Sequence, residues 1–281
     1  MSNLEVSHIL VPVNFSKASY TGLKFAINIA RQLNAKLTVL HVFNIPQPVG
    51  GLPLYIEEDN DPAVFSSSIA KKFKKLEEEY LFDSGIDYDL QFKLGYLETR
   101  LSAFVEYEKV DLIVLGKKDP SGFMSFLKIN IVRILNSIGC PSIIIPEQYE
   151  GCFPFKKACI SCDYSKKNKK KDLADSALIL KILSLDQILL SVTQESLKQR
   201  FSEEKEKVLK ILSETLPDIQ TVQVPQKSNE FISKTILKKV LEINGDLIVV
   251  FPGKHFYNGL FSESVSKSLA NNKSIPMLVI N

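Results

Sequence analysis

Short apolar runs and longer stretches of helical periodicity alternate along the first half of the chain. The apolar runs are six to nine residues long and rich in Val, Ile and Leu, as buried parallel strands are. Five runs are predicted as strands: SHILVPVN, KLTVLHVF, IDYDLQFKL, VDLIVLG and PSIIIP.

Four predicted helices lie between these strands. In the first helix, Leu23, Ala26, Ile27, Ala30 and Leu33 recur at the spacing of one helix face, and Ser16 is a candidate cap for its amino end. Similar stripes follow in the other three: Ile69, Phe73, Leu76 and Tyr80; Leu97, Leu101, Phe104 and Val105; Ile131, Leu135 and Ile138. Strands that alternate with helices in this way predict an α/β fold, with a parallel sheet covered on both faces.

The second half of the chain repeats the first. DLIVLG begins at Asp111 and DLIVVF at Asp246, and each copy reaches a proline, Pro141 or Pro276, 30 residues later. Upstream, HILVPVNFS matches ACISCDYS with Asn14 opposite Asp163. The offset therefore falls from 149 to 135, and the extra residues are assigned to a Pro/Gly-rich loop over 44–62. A duplicated domain is predicted, with domains at 1–148 and 154–281 and the join near 147–155.

The ordered set of VPVNFS, TVLHV, DLIVLG and a final CP with an apolar strand resembles the universal stress protein family, over nearly all of the first half and more faintly over the second. The resemblance implies two tandem Rossmann-like domains of the adenine nucleotide alpha hydrolase-like type. Each would hold a five-stranded parallel sheet in the order 3-2-1-4-5. It also implies cytoplasmic, stress-linked roles without established catalysis. Some members of the family bind ATP and others do not.

The phosphate-binding pattern of the ATP-binding members is incomplete in both halves. That pattern has Gly, two residues, Gly, nine residues, then Gly and Ser or Thr after the fourth strand. The first half keeps Gly116 but has Asp119 at the second position and Ile129–Asn130, or Lys128–Ile129, at the last. The second half has Phe251, Lys254 and Glu263–Ser264 at these places. The nucleotide pocket that the resemblance implies comprises Asn14, Phe15, Val42, Gly116, Lys117, Ser121 and Asn130.

Asp119 is the sharpest departure from the pattern. Asp119-Pro120 suits the first positions of a helix, so the carboxylate would bond the helix's own N–H groups and repel a phosphate. Lys117 and Lys118 could offset part of this repulsion if they point inward. Asn14 could contact a ligand or hold its own loop. The prediction is a non-enzymatic universal stress protein of the cytoplasmic stress response, without a cofactor. The alternative is a sensor that binds ATP through its first domain.

Net charge and the spacing of cysteines and histidines give no support to several other classes of function. A net charge of +3 gives no reason to expect nucleic acid or membrane binding, and the start of the chain does not have the pattern of a secretory signal. Cys159 and Cys162 form a C-x-x-C pair, but within a strand their side chains point to opposite faces, so core packing is expected. His8, His41 and His255 have no neighbouring carboxylate or thiol in a ligand pattern. No metal site is predicted.

The last strand of each half, PSIIIP and PMLVI, is apolar, carries no charge and would lie at a sheet edge. Uncharged edge strands invite pairing with another strand. We therefore expect these two strands to pair antiparallel within one chain, as an intrachain pseudo-dimer of the two domains. A homodimer and an unidentified protein partner remain open.

Overall fold

The structure, a computed structural model, describes residues 5–43, 62–118, 138–151, 153–161, 170–193, 202–225, 232–250 and 274–280. Over these residues the chain forms one ten-stranded sheet, in the order β3-β2-β1-β4-β5-β10-β9-β6-β7-β8. The strands are β1 His8–Pro12, β2 Lys36–Phe43, β3 Tyr88–Leu94, β4 Leu112–Lys117, β5 Ser142–Pro146, β6 Phe155–Ser161, β7 Ser184–Thr193, β8 Gln220–Pro225, β9 Leu247–Val250 and β10 Met277–Val279.

Helices cover both faces of this sheet. They are α1 Lys17–Leu33, α2 Pro62–Leu76 with a π-helical turn at Glu77–Leu81, α3 Leu97–Glu108, α4 Lys170–Leu183, α5 Ser202–Ser213 and α6 Ile232–Glu242. Residues from α1, α2, α4 and α5 join one buried apolar cluster, and residues from α3 and α6 join the cluster on the opposite face. The α/β class is confirmed. Most of the predicted fourth helix lies outside the described residues.

The sheet is continuous across the two halves, with β1 to β5 on one side of the junction and β6 to β10 on the other. Strands β5 and β10 pair antiparallel and join the two halves, and every other pair in the sheet is parallel. The pairs are Met277 with Ile144, Leu278 with Ile143, and Val279 with Ser142. Because Ile143 and Leu278 are equivalent by the offset of 135, the register is symmetric about their contact. The predicted pairing of the two charge-free edges is confirmed.

The repeated Asp at the start of DLIV has the same task in both halves. Asp111 Oδ2 accepts hydrogen bonds from the backbone N–H of Ser7 (2.9 Å) and of His8 (3.0 Å). The Asp246 carboxylate accepts the N–H groups of Lys156 and Lys157, each at 2.8 Å. Each carboxylate thus pairs with two consecutive N–H groups at the start of the neighbouring strand, β1 or β6. The need to pair these groups explains why both halves carry Asp here.

Helix α1 lies closest to the sheet where two glycines meet. A Cβ on Gly22 would lie 2.7 Å from the backbone nitrogen of Gly116, and a Cβ on Gly116 would lie 1.9 Å from the Ala18 carbonyl oxygen. Neither position can hold a side chain unless the helix moves. The amino end of α1 is therefore held against the carboxyl end of β4.

Candidate functional site

The candidate site lies where the order of the sheet reverses. Strand β1 pairs in parallel with β2 on one side and with β4 on the other, so the carboxyl ends of all three strands meet at one edge. In open α/β sheets, ligands bind at such a reversal. The structure brings Asn14, Phe15, Val42, Gly116 and Lys117 to this edge. Ser121 and Asn130 lie outside the described residues, as do Asp119 and the second-half positions 163, 251, 254 and 263–264.

Asn14 is engaged by its own loop. Its Oδ1 accepts hydrogen bonds from the Ser16 hydroxyl at 2.6 Å and from the Ser16 backbone N–H at 3.2 Å. The Ser16 Oγ in turn accepts the Ser19 N–H at 3.3 Å and caps α1, as the sequence predicted. The Asn14 side chain therefore holds the residue that starts the helix.

Phe15 has a left-handed backbone conformation, with φ of 60°. This conformation costs a residue other than glycine about 1–2 kcal/mol. Its ring centroid lies 4.7 Å from that of His41 and 5.6 Å from that of Phe73, and the Lys72 ammonium lies 5.4 Å from the ring. These contacts hold the strained residue in place, and strain of this kind is frequent at ligand sites.

His41 completes this aromatic cluster, although it was not among the site residues predicted from the sequence. Its Nδ1–H donates to the Val13 carbonyl at 2.7 Å, because a carbonyl can only accept. The ring stacks over Phe43, with centroids 6.2 Å apart. Burial, and secondarily the positive charge of Lys72, lower the pKa of His41 below 6.5, against the raising effect of the Val13 hydrogen bond. The neutral imidazole presents Nε2 as a hydrogen-bond acceptor. The only sequence signal is its place in TVLHV, at the end of a strand.

Gly116 and Lys117 end β4, and both have roles in the fold. Gly116 leaves room for the backbone of α1 at Ala18, so this glycine is explained without a phosphate. The Lys117 carbonyl accepts the Glu147 N–H at 2.8 Å, and its side chain is half-buried. Val42 packs into the cluster on the opposite face of the sheet from His41.

The cysteine and histidine candidates outside this cluster, where the structure describes them, are buried in the core or hydrogen-bonded within the fold. Cys159 is fully buried in β6, and burial raises its pKa to about 12, so its thiol stays protonated. Its C-x-x-C partner Cys162 lies outside the described residues, as does His255. His8 donates from Nδ1 to the Glu108 carbonyl and contacts the Thr38 hydroxyl through Nε2. Over the described part of the chain, no three metal-binding side chains come together, and no helix has the length and apolar character that crossing a membrane requires.

The fold and the strand-end site define a Rossmann-like α/β protein, and comparison with known proteins narrows this class. The sequence profile of the universal stress protein family matches residues 5–146. A universal stress protein of Methanocaldococcus jannaschii is 26% identical over 147 residues, which cover 49% of this chain and 80% of that protein. A universal stress protein A homolog of Haemophilus influenzae is 32% identical over 145 residues, which cover 50% and 95%.

One solved structure extends the likeness to the whole chain. The crystal structure of a universal stress protein from Archaeoglobus fulgidus superposes with a TM-score of 0.70, covering 98% of both chains at 17% identity. At this identity the likeness shows the fold alone. Because the family profile spans half of the sequence, the chain belongs to the universal stress protein family. Membership supports a role in the response to stress.

Proposed function

We propose that the protein is a non-enzymatic universal stress protein of the cytoplasmic stress response, without a bound nucleotide. It consists of two tandem universal stress protein domains, residues 1–148 and 154–281, which form a pseudo-twofold unit. It acts by binding a protein partner, which is unidentified. The symmetric register of β5 and β10 about Ile143 and Leu278 supports the tandem arrangement. The free, buried thiols of Cys140 and Cys159 suit a reducing compartment.

Two residues of the candidate site, Asn14 and Gly116, are already used by the fold, and this observation supports the proposal most strongly. Asn14 would contact the base, yet its Oδ1 already accepts two hydrogen bonds from Ser16. Gly116 would approach the phosphates, yet its missing side chain is required by Ala18 of α1. Both residues therefore have reasons to be present that involve no ligand. The remaining glycines of the phosphate pattern are absent from both halves.

The test is titration calorimetry with ATP on the wild-type chain and on a repaired chain. The repair combines Asp119→Gly with Ile129→Gly and Asn130→Ser, which restores the family pattern. The wild type should give no micromolar binding, and the repaired chain should gain at least about tenfold in affinity, which corresponds to about 1.4 kcal/mol. Asp119→Asn is the matched control, because it removes the negative charge but adds no glycine. Micromolar ATP binding by the wild type would overturn the proposal.

A sensor that binds an adenine nucleotide through the first domain is the second candidate. The aromatic cluster favours it, since Phe15 and His41 offer ring faces and Nε2 offers an acceptor beside the end of β1. Lys72 adds a positive charge to the same edge. If the wild type binds ATP, Phe15→Ala should weaken that binding at least about tenfold, because base stacking contributes about 1–3 kcal/mol. An unchanged affinity would place the nucleotide elsewhere.

A further inference from the structure

The ten-stranded sheet ends in two strands of different character. At one end, β3 carries Asp89 and Lys93, and charges of this kind protect an edge strand from pairing with other chains. At the other end, β8 reads QTVQVP and carries no charge. No other strand of the described residues pairs with its outer side. The β8 edge therefore lacks the protection that β3 has.

The side chains of β8 are compatible with a second strand beside them. Gln220, Thr221 and Gln223 are exposed and can donate and accept hydrogen bonds, while Val222 is half-buried and Val224 is buried. Pro225 has no N–H to donate, so a pairing would end at Val224. Five residues, Gln220 to Val224, are available, whereas three pairs join the two halves of this chain.

The junction of β5 and β10 shows how this protein satisfies charge-free edges. Both strands are uncharged, and they pair antiparallel with a register symmetric about Ile143 and Leu278. Strand β8 is the other charge-free edge, and each chain holds one copy of it. A symmetric pairing for β8 therefore requires the same strand of a second chain.

We propose that β8 pairs antiparallel with β8 of a second copy, so that the two ten-stranded sheets join across a twofold axis. A register centred on Val222 places Thr221 opposite Gln223 and Gln220 opposite Val224. Hydroxyl and amide side chains then face each other, and no like charges meet. The interface is isologous, as in most homodimers, and β3 stays at the outer edges.

Sedimentation velocity over about a hundredfold range of protein concentration tests this pairing, because dimerisation depends on protomer concentration. The wild type should sediment as a dimer. Gln223→Lys should weaken the dimer at least about tenfold, because the two introduced charges would be diagonal neighbours about 7–8 Å apart across the axis. Thr221→Lys should do the same. Both positions are exposed, so the folded protomer itself should be retained.

The matched control is Gln91→Lys, the same substitution on β3. It should leave the dimer intact, which separates the β8 edge from a general effect of added positive charge. A wild type that is monomeric at every concentration would overturn the proposal. A dimer that survives both β8 variants, or one that Gln91→Lys alone disrupts, would overturn it too, since the interface would then lie elsewhere.

Discussion

Strands β4 and β9 are equivalent along their length and differ where they end. Each directly follows an Asp that accepts backbone N–H groups at the start of β1 or β6. Each also pairs with the last strand of its half in the same register: Ile113 with Ser142, and Ile248 with Met277. After these matched segments, the first copy reads Gly116-Lys117 and the second Phe251-Pro252. The matched residues are needed to form the sheet, whereas the residues that follow them can differ between the two copies. Neither copy keeps a complete phosphate pattern, and the strand residues that both copies keep are explained by the fold.

The largest expected effect comes from the junction of the two halves. Leu278 is fully buried between β5 and β9, so Leu278→Lys places an unpaired charge in the core. We expect a loss of about 4 kcal/mol or more in the free energy of unfolding. Leu278→Met should cost less than about 1.5 kcal/mol. Urea unfolding measures both, and a Lys variant as stable as the Met variant would show that this strand is not buried.

Gly116→Ala should have the next largest effect, because its Cβ would lie 1.9 Å from the Ala18 carbonyl oxygen. Helix α1 would have to move away from β4, and we expect a loss of about 3 kcal/mol. A Cβ at Gly139 meets no atom within 4 Å, so Gly139→Ala is the matched control and should change little. Equal stability of the two variants would contradict the packing role and return Gly116 to a ligand role.

The two aspartates at the strand starts should contribute equally. Asp111→Ala and Asp246→Ala each remove an acceptor for two backbone N–H groups, and each should cost about 1–2 kcal/mol. Asp218→Ala, in an exposed turn, should stay within about 0.5 kcal/mol of the wild type. Urea unfolding compares the three. A large difference between the two strand-start variants would end the equivalence of the halves.

The smallest effect concerns the pKa of His41. Burial lowers this pKa below the ordinary 6.5, so the unfolded chain binds a proton more readily than the folded one. The His41 contribution to stability is therefore complete above pH 6.5 and declines as the pH falls below that value. Proton NMR titration should give a midpoint below 6.5, and His41→Gln should flatten the pH dependence of unfolding there. A midpoint above 6.5 would show a solvated ring.

Much of the fold could be predicted from local pattern. Apolar runs and helix stripes predicted the strands and helices. The uncharged edge strands Ser142–Pro146 and Met277–Val279 predicted the junction between the two halves. The site could not be predicted in the same way. The reason for Gly116 depends on the distance to Ala18, which is nearly a hundred residues away in sequence. His41 is significant because Val13 and Phe15 meet it across two strands, and no sequence spacing records that contact.

Native mass spectrometry of the protein purified from cells without added nucleotide tests the central claim most directly. If Asn14 and Gly116 serve the fold and bind no nucleotide, the spectrum should show only the mass of the polypeptide, or a multiple of it. A retained adenine nucleotide in stoichiometric amount would contradict the account, and it would make the first half a nucleotide site despite Asp119.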